Sequence, residues 1–278
     1  MSERAKTILD QPAGGPRAPD GATRREIERL GPWFHNLHLP GGIQTRPDHP
    51  LGDFPAYKWA EFSSCISGDL SGQTCLDVGS NAGFHGFECA KRGASVEFLD
   101  ISAHFLDQAR WAGGKLGILG GLSFRRGHVY DLARDEKSYD IVLFLGVFYH
   151  LRYPLLALDI LARKTRRQMV FQTLTMPCGE AGRAHSVTRT PEDFGFIDRD
   201  RMTHPGWPKM AFIERKFSGD VTNWWAANPA ACEAMLRSSG LAPERVGEET
   251  WVCKPDHHVR AGPADLLEAE YKSALGLW

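Results

Sequence analysis

The strongest constraint on the fold is an alternation of short apolar segments and helical segments between residues 74 and 174. The apolar residues of segment 103–116 recur at helical spacing, whereas segments such as 74–78 have the length and composition of strands. Strands alternating with helices favour a parallel sheet with crossover helices. The predicted strands are 74–78, 95–99, 122–126, 139–145 and 168–174, and the predicted helices are 83–91, 103–116 and 154–161. The sequence therefore predicts an α/β fold with a doubly wound, mostly parallel sheet, in which these five strands and a later hairpin make seven.

The segments outside this core predict the remaining organisation of the chain. Further helices are expected from Thr23, at 57–66, at 229–238 and from Pro263, and a hairpin at 245–252 completes the sheet. Residues 1–22 contain Pro and Gly but few large apolar side chains, which favours a disordered leader. We expect residues 23–70 to cover the cofactor and substrate, 71–175 to form the core, 176–225 to form a lid, and 226–278 to complete the sheet and end in a helix.

Composition excludes several classes of protein. The 33 basic and 34 acidic residues nearly cancel, so no overall field favours a polyanionic partner. The six cysteines are scattered singly, which suits reduced thiols in a cytoplasmic protein. No apolar run reaches the roughly 18 residues of a membrane span, and the amino terminus lacks the apolar centre of a signal peptide. We therefore expect a cytoplasmic protein without a membrane partner.

The turn after the first predicted strand, DVGSNAG at residues 77–83, has the composition of a nucleotide-binding turn. Glycine there allows the backbone to pass close beneath a ligand at the carboxyl edge of a parallel sheet. The turn lacks the full GxGxxG spacing and a Walker lysine, so phosphate binding is poorly supported. Asp100 ends the second strand, where a carboxylate is placed to bind both hydroxyls of a ribose. An adenosine without a bound phosphate fits this pattern.

The segments DVGSNAGFHGFECAKRGA and FLDIS resemble motif I and the following acidic motif of class I methyltransferases that use S-adenosylmethionine (SAM). The resemblance covers residues 74–174. The segment GVFYHLRYPLLAL and Trp59 are also similar to the family that completes the 5-oxyacetic acid modification of the tRNA wobble uridine, and to its bacterial relatives. Members of that family use carboxy-SAM. The resemblance to class I methyltransferases implies SAM as cofactor.

The resemblance also implies a set of cofactor-binding residues. These are Asp77, Gly79, Ser80, Asn81, Gly83, Asp100, Ile101, Tyr130, Asp131, Leu145 and Trp59. Asn81 stands where the family usually has glycine, and asparagine tolerates the left-handed conformation. The family's carboxylate-reading lysine would fall near residues 34–36, where this sequence has no lysine. For Tyr130 and Asp131 the alternative to adenine contact is an ordinary helix cap by Asp131.

Candidates for the chemistry follow the fourth predicted strand. Tyr149 and His150 lie at the edge of the sheet where the methyl group would point, and His150 has the pKa range of a general base. Candidate substrate contacts come from the flanking segments, namely Trp33, His35, Trp207, Arg199 and Trp224. Each of these has a structural alternative, such as packing of the segment on the sheet. The histidines lack the spacing of a metal site, so no metal is expected.

Three functions remain open from the sequence. The leading hypothesis is SAM-dependent methylation of a small hydroxylated or nitrogen-containing metabolite, such as a sugar. The alternatives are a tRNA wobble-uridine (carboxy)methyltransferase using SAM or carboxy-SAM, and a SAM-binding protein without catalysis. The C-terminal stripe of Leu266, Leu267, Tyr271 and Leu275 favours docking on the chain's own core, with a homodimer seam as the alternative.

Overall fold

The computed structural model describes residues 21–118, 120–177, 190, 193, 195–256, 258 and 263–277. The N-terminal segment packs on the sheet through short elements. These are α1 (Gly21–Arg29), β1 (His38–Leu39), β2 (Ile43–Gln44) and α2 (Phe54–Phe62). Pro55 in the first turn of α2 fixes a helical φ where no hydrogen-bond donor is required, so the helix begins there.

A seven-stranded sheet forms the centre of the molecule. Its strands and crossover helices along the chain are β3 (Thr74–Val78), α3 (Phe84–Ala90), β4 (Ser95–Asp100), α4 (Ala103–Lys115), β5 (Leu122–Arg126), β6 (Tyr139–Leu145), α5 (Pro154–Lys164) and β7 (Thr165–Gln172). The sheet is completed by α6 (Pro229–Ser238), β10 (Leu241–Arg245) and β11 (Thr250–Pro255). The order is β10-β11-β7-β6-β3-β4-β5, with β3 to β7 parallel and β10 and β11 antiparallel.

Both faces of the sheet are buried, because alternate residues of the central strands point to opposite sides. In β6, Val142 and Phe144 pack into the cluster around α5 and α6, whereas Ile141 and Leu143 pack toward α2, α3 and α4. All four side chains are almost fully buried. The result is a three-layer arrangement with the carboxyl ends of the parallel strands at one edge.

The remaining elements cover this edge and one face of the sheet. Residues 196–203 form a 3-10 helix, and β8 (Met210–Phe212) pairs with β9 (Trp225–Ala227). The C-terminal helix α7 (Ala264–Leu275) docks on the core through Tyr271, which is buried, and Leu275. Arg163 of α5 lies 3.9 Å from the centre of the Tyr271 ring and 2.6 Å from the Glu268 carboxylate. Tyr271 and Leu275 of the predicted stripe thus dock within the chain, whereas Leu266 is exposed.

The two edge strands of the sheet carry charged residues or proline, which has no backbone N–H to donate. At one edge, β5 ends in Arg125 and Arg126. At the other, β10 contains Pro243 followed by Glu244 and Arg245. Proline cannot donate to a further strand, and charged side chains oppose edge-to-edge pairing.

The predicted α/β fold, with its seven-stranded, mostly parallel sheet, is confirmed. Several boundaries differ from the prediction. The helix expected at 57–66 begins at Phe54 and ends at Phe62, because residues 63–65 tighten into a 3-10 turn. The fifth strand begins at Thr165, because Thr165 pairs with Tyr139 of β6.

The hairpin also differs from the range predicted for it, 245–252. Its strands are 241–245 and 250–255, with the turn between them. Of the leader predicted at 1–22, residues 1–20 lie outside the described residues, and α1 begins at Gly21. Much of the predicted lid lies outside the described residues, so the division into segments stays a prediction. Within the described ranges, none of the helices has the length and apolarity needed to cross a membrane.

The contact between α3 and β4 should be sensitive to a single methyl group. A Cβ at Gly86 would collide with the buried Phe98 ring and lie 2.9 Å from the Asp77 carboxylate. Gly86→Ala should therefore lower the free energy of unfolding by about 1 to 3 kcal/mol, as overpacking does. Gly114 of α4 has nothing within 4 Å of the same position. Gly114→Ala should raise stability by about 0.4 to 1 kcal/mol. Urea unfolding of both variants tests this, and equal effects would contradict the close packing.

Candidate functional site

A cavity of about 560 Å³ opens at the carboxyl ends of β3, β4 and β6. Many of its walls come from these strand ends and the turns that follow them. They include Asp77, Gly79, Ser80, Asn81, Asp100, Ile101, Gly127, His128, Leu145, Gly146, Tyr149, His150 and Gln172. The N-terminal segment supplies Phe34, His35, Leu51, Phe54 and Lys58, and Thr222 closes the side next to His150. This volume lies within the range of small-molecule and cofactor sites, roughly 300 to 1,000 Å³.

The turn after β3 adopts the backbone that its sequence predicts. Gly79, Asn81 and Gly83 have φ angles of 65°, 50° and 88°. A side chain at Gly79 would collide with Val147, which follows the end of β6. The amide of Gly79 donates to the Leu99 carbonyl at 2.8 Å, so the turn is tied to β4. Glycine and asparagine are therefore needed here for conformation and close approach.

Asp77 stabilises the turn by binding the helix that follows it. Its buried carboxylate accepts the amide of Gly86, in the first turns of α3, at 3.0 Å. Burial raises the pKa of Asp77 to about 7, the Gly86 hydrogen bond opposes that rise, and the Asp100 charge adds to it. Asp77 is therefore held by the protein and lies in the cavity wall beside Gly79.

Asp100 joins two turns at the end of β4. One carboxylate oxygen accepts the amide of Asn81 at 2.9 Å, and the other accepts the amide of Ser102 at 2.8 Å. Burial raises the pKa of Asp100, while the hydrogen bonds from Ser102, Asn81 and Ile101 oppose that rise. A carboxylate retains further acceptor sites after two such bonds. Ribose hydroxyls could use them, because Asp100 lines the cavity.

Tyr149 and His150 belong to a 3-10 turn at residues 148–150, directly after β6. His150 Nδ1 lies 2.9 Å from the Thr222 hydroxyl and 3.8 Å from the Asp220 carboxylate. Burial lowers the pKa of His150, although Asp220 and Thr222 oppose that shift. Burial raises the pKa of Tyr149 to about 12, with added effects from Glu249 and Asp220. Both side chains are thus neutral near pH 7.

Lys58 brings a cation to the cavity wall, but two carboxylates lie beside it. Its ammonium is 3.3 Å from Glu61 and 3.8 Å from Glu249. Glu249 is fixed by the amide and hydroxyl of Thr175 at 3.0 and 3.1 Å, and by Gln172 at 3.3 Å. With one ammonium and two carboxylates, this cluster carries a net charge of −1.

His35 lies in the cavity wall beside a second buried imidazole. The ring centres of His35 and His85 are 5.8 Å apart and their planes are perpendicular. Burial lowers the pKa of His35 well below its usual value, and burial likewise lowers the pKa of His85 to about 4. Both rings therefore stay neutral and contribute a polarisable wall without charge.

Ten residues predicted for the site line the cavity. They are Asp77, Gly79, Ser80, Asn81, Asp100, Ile101, Leu145, Tyr149, His150 and His35. Their roles toward a ligand stay predictions. Gly83 sits behind the turn as the N-cap of α3. Asp131 accepts the His128 amide at 2.8 Å as a helix cap, and the Tyr130 hydroxyl bonds to the backbone of Tyr153.

Gly83, Tyr130 and Asp131 lie outside the cavity lining, and so do the other five residues predicted for the site. Trp33 is buried against Trp111 and donates to the Ile27 carbonyl at 2.8 Å. Trp59 packs on Phe62 and beneath Arg92. The Trp224 ring stacks on Phe212, while its amide donates to the Tyr149 carbonyl at 2.9 Å. Trp207 is half-buried near β9, and Arg199 is exposed in the 196–203 helix. Packing of the flanking segments accounts for the tryptophans.

The structure also adds residues that sequence reasoning missed. Gln172 ends β7, so its position at a parallel strand's carboxyl end was a usable signal. His85, two residues after the glycine turn, was equally near a known motif. Thr222 carries no such signal, since it reaches the cavity from a segment without a recognisable pattern. Within the described ranges, no three His, Cys, Asp or Glu residues are grouped as metal ligands.

Comparison with known proteins identifies the class to which this fold belongs. Residues 76–171 match the family described as a methyltransferase domain. The amino-terminal domain of EvdMO1, solved with SAH bound, aligns with 87% of this chain and 97% of its own at a TM-score of 0.52 and 18% identity. The fold is that of class I SAM-dependent methyltransferases.

Two curated relatives are similar to the chain in sequence. A tRNA U34 carboxymethyltransferase of Marinobacter nauticus is 29% identical over 209 residues, covering 71% of this chain and 56% of that protein. A ubiquinone biosynthesis O-methyltransferase of Alkalilimnicola ehrlichii is 31% identical over 128 residues, covering 45% of this chain and 51% of that protein. The chain thus spans about half the length of these relatives.

Removing the Asp100 carboxylate tests its position in the site. Asp100→Ala should weaken binding of SAM or of S-adenosylhomocysteine (SAH) by about 1 to 3 kcal/mol, because ribose hydroxyls would lose their partner. Calorimetry measures the change. An SAH analogue without the 2′ and 3′ hydroxyls serves as the control, and its affinity should change little. If both ligands weaken equally, Asp100 acts through the Asn81 and Ser102 turns and not on the ribose.

Proposed function

We propose that this chain transfers the methyl group of SAM to a small acceptor that carries a hydroxyl or a nitrogen. One observation carries the proposal: the turn from Gly79, the Asp100 carboxylate and the Tyr149-His150 turn line a single cavity at the carboxyl edge of a parallel sheet. Open α/β sheets bind their ligands at this edge. The match to a methyltransferase domain and the similarity to a ubiquinone biosynthesis O-methyltransferase support this class of reaction.

The residues present fit an adenosine with an amino-acid tail. Asp100 would accept the ribose hydroxyls, and Ile101 with His128 would flank the base. Gly79, Ser80 and Asn81 line the cavity and would pass beneath the ribose and the amino-acid part. SAM supplies an activated methyl group on a sulfonium. The protein's own contribution is to orient the acceptor, which can supply roughly 7 to 11 kcal/mol.

His150 supplies a proton acceptor at the other end of the cavity. The acceptor's hydroxyl or amine must lose a proton as the methyl group arrives, and a neutral imidazole can take it. This arrangement supports catalysis over a protein that only binds SAM, since cofactor binding alone requires no base. Methyl-labelled SAM, incubated with fractionated small molecules and with total RNA, tests the proposal. Label should enter the small-molecule fraction, whereas label in RNA would contradict it.

The second candidate is modification of a tRNA base with SAM or carboxy-SAM. It is favoured by the 29% identity to the carboxymethyltransferase of Marinobacter nauticus. Binding of RNA requires cations that neutralise phosphates. Lys58 is flanked by carboxylates, and the Arg152 guanidinium lies 4.5 Å above the Trp224 ring. We expect no saturable binding of total tRNA in a filter assay at physiological salt, and saturable binding would revive this candidate.

The choice of cofactor can be tested directly. A carboxylate on the transferred group would need an unpaired cation, because a buried unpaired charge costs several kcal/mol. Of the cations near the site, Lys58 is flanked by Glu61 and Glu249, while Arg46 donates to the Trp33 carbonyl. SAM should therefore bind at least tenfold more tightly than carboxy-SAM, a difference of about 1.4 kcal/mol, in a competition titration.

A matched pair of variants checks the reason for this preference. Glu249→Gln removes one carboxylate from Lys58 and should narrow the difference between the two cofactors. Glu88→Gln removes the partner of Lys91, an i,i+3 pair on the neighbouring helix α3 and outside the cavity lining. It should leave the ratio unchanged. Equal affinities in the native protein would contradict the preference for SAM.

A further inference from the structure

His150 is held at one ring nitrogen by a segment far away in sequence. Two oxygen atoms of Thr222 face Nδ1, the hydroxyl at 2.9 Å and the backbone carbonyl at 3.3 Å. The His150 amide donates to the Val147 carbonyl at 2.9 Å, which fixes the backbone of the turn. Within the described part of the chain, no hydrogen bond reaches Nε2. The ring is therefore oriented through Nδ1 alone.

The proton of the Thr222 hydroxyl already takes part in a hydrogen bond to Asp220. The hydroxyl donates to Asp220 Oδ1 at 2.7 Å, and the Thr222 amide donates to the same oxygen at 2.6 Å. The hydroxyl can then only accept from His150, as the carbonyl also must. Because both oxygens facing Nδ1 are acceptors, Nδ1 carries the hydrogen. A neutral imidazole has one protonated nitrogen, so Nε2 keeps its lone pair.

The segment that presents Asp220 has a defined conformation. Phe217 and Asp220 exchange backbone hydrogen bonds at 3.1 and 3.0 Å, and the residues between them, Ser218 and Gly219, have φ angles of 52° and 84°. Positive φ at both central positions is typical of a tight turn. The Asn223 amide group donates to the Phe217 carbonyl at 2.9 Å. This local structure fixes Asp220 and Thr222 relative to each other.

We propose that Asp220 and Thr222 are positioning residues that hold His150 with Nε2 as the proton acceptor for the methyl acceptor. The inference rests on the proposed methyl transfer and narrows its substrate class to acceptors with an O–H or N–H bond. As that bond breaks, the proton passes to Nε2. The oxygen or nitrogen lone pair forms the new bond to the methyl carbon, and the carbon–sulfur bond breaks to leave a neutral thioether.

Charge around the ring supports the same assignment. Asp220 Oδ2 lies 3.8 Å from Nδ1 and stabilises the imidazolium formed after proton transfer. Hydrogen bonds from the Thr222 hydroxyl and amide, together with the His150 charge, lower the pKa of Asp220 against the opposing effect of burial. The centre of the Tyr149 ring lies 4.2 Å from the centre of the His150 ring, and this neighbour on the same turn is neutral. Asp220 is the charged group facing the ring among the described residues.

Nitrogen-15 NMR of histidine-labelled protein tests this without knowledge of the acceptor. The spectrum, recorded with SAH, should show His150 protonated at Nδ1, with the signal assigned by its loss in His150→Gln. Thr222→Ser keeps the hydroxyl and should retain this tautomer, whereas Thr222→Val should increase the Nε2-protonated form. Asp220→Asn should lower the pKa of His150 by about half a unit or more, because a charge near 4 Å is removed. The pKa of His104 on α4 provides the internal reference for the change in the His150 pKa.

The outcomes separate this inference from the proposed function. If SAH binds by calorimetry but His150 is protonated at Nε2, the positioning role is wrong and the cofactor site stands. An unchanged His150 pKa in Asp220→Asn, in a variant with native circular dichroism, also overturns it. If SAH does not bind at all, the proposed function fails instead. The threonine variants must keep SAH affinity, so a changed tautomer cannot be attributed to unfolding.

Discussion

The double hydrogen bond of the Asp100 carboxylate is the interaction on which the site depends. It fixes the turn after β3 through Asn81 and the turn after β4 through Ser102. Those turns come from neighbouring parallel strands, so the register of β3 and β4 decides whether one carboxylate can reach both. Asp100 is buried, and among the described residues backbone amides, not a cation, stabilise its charge. The sheet thus supplies a fixed acceptor at its edge before any ligand arrives.

The opposite end of the cavity is assembled in a different way. His150 follows β6 directly, but its hydrogen-bond partner Thr222 comes from 72 residues further along the chain. The Trp224 amide donates to the Tyr149 carbonyl, and the Trp225 indole donates to the Leu151 carbonyl at 3.0 Å, which fastens the returning segment to the end of β6. The proposed cofactor contacts therefore arise from the geometry of the sheet, whereas the surroundings of His150, the proposed base, depend on a separate segment.

This difference explains what the sequence could and could not predict. Apolar periodicity predicted the strands, and the rule that parallel strands end at one edge brought Asp77, Asp100 and His150 into one cavity. The contact between His150 and Thr222 has no local pattern, because it depends on tertiary packing. The tryptophans were ambiguous for a related reason: a large apolar ring suits a ligand and a core equally well, and Trp33 packs against Trp111.

The edges of the sheet have a consequence for self-association. The guanidinium groups of Arg125 and Arg126 lie along β5, and Pro243 interrupts the donors of β10 at the other edge. A second copy of the chain would gain few backbone hydrogen bonds by adding a strand at either side, and it would have to desolvate charge to do so. Oligomers built by extending the sheet are therefore disfavoured. Contact between copies would have to use helix surfaces, which leaves the shared edge of the parallel strands open to small molecules.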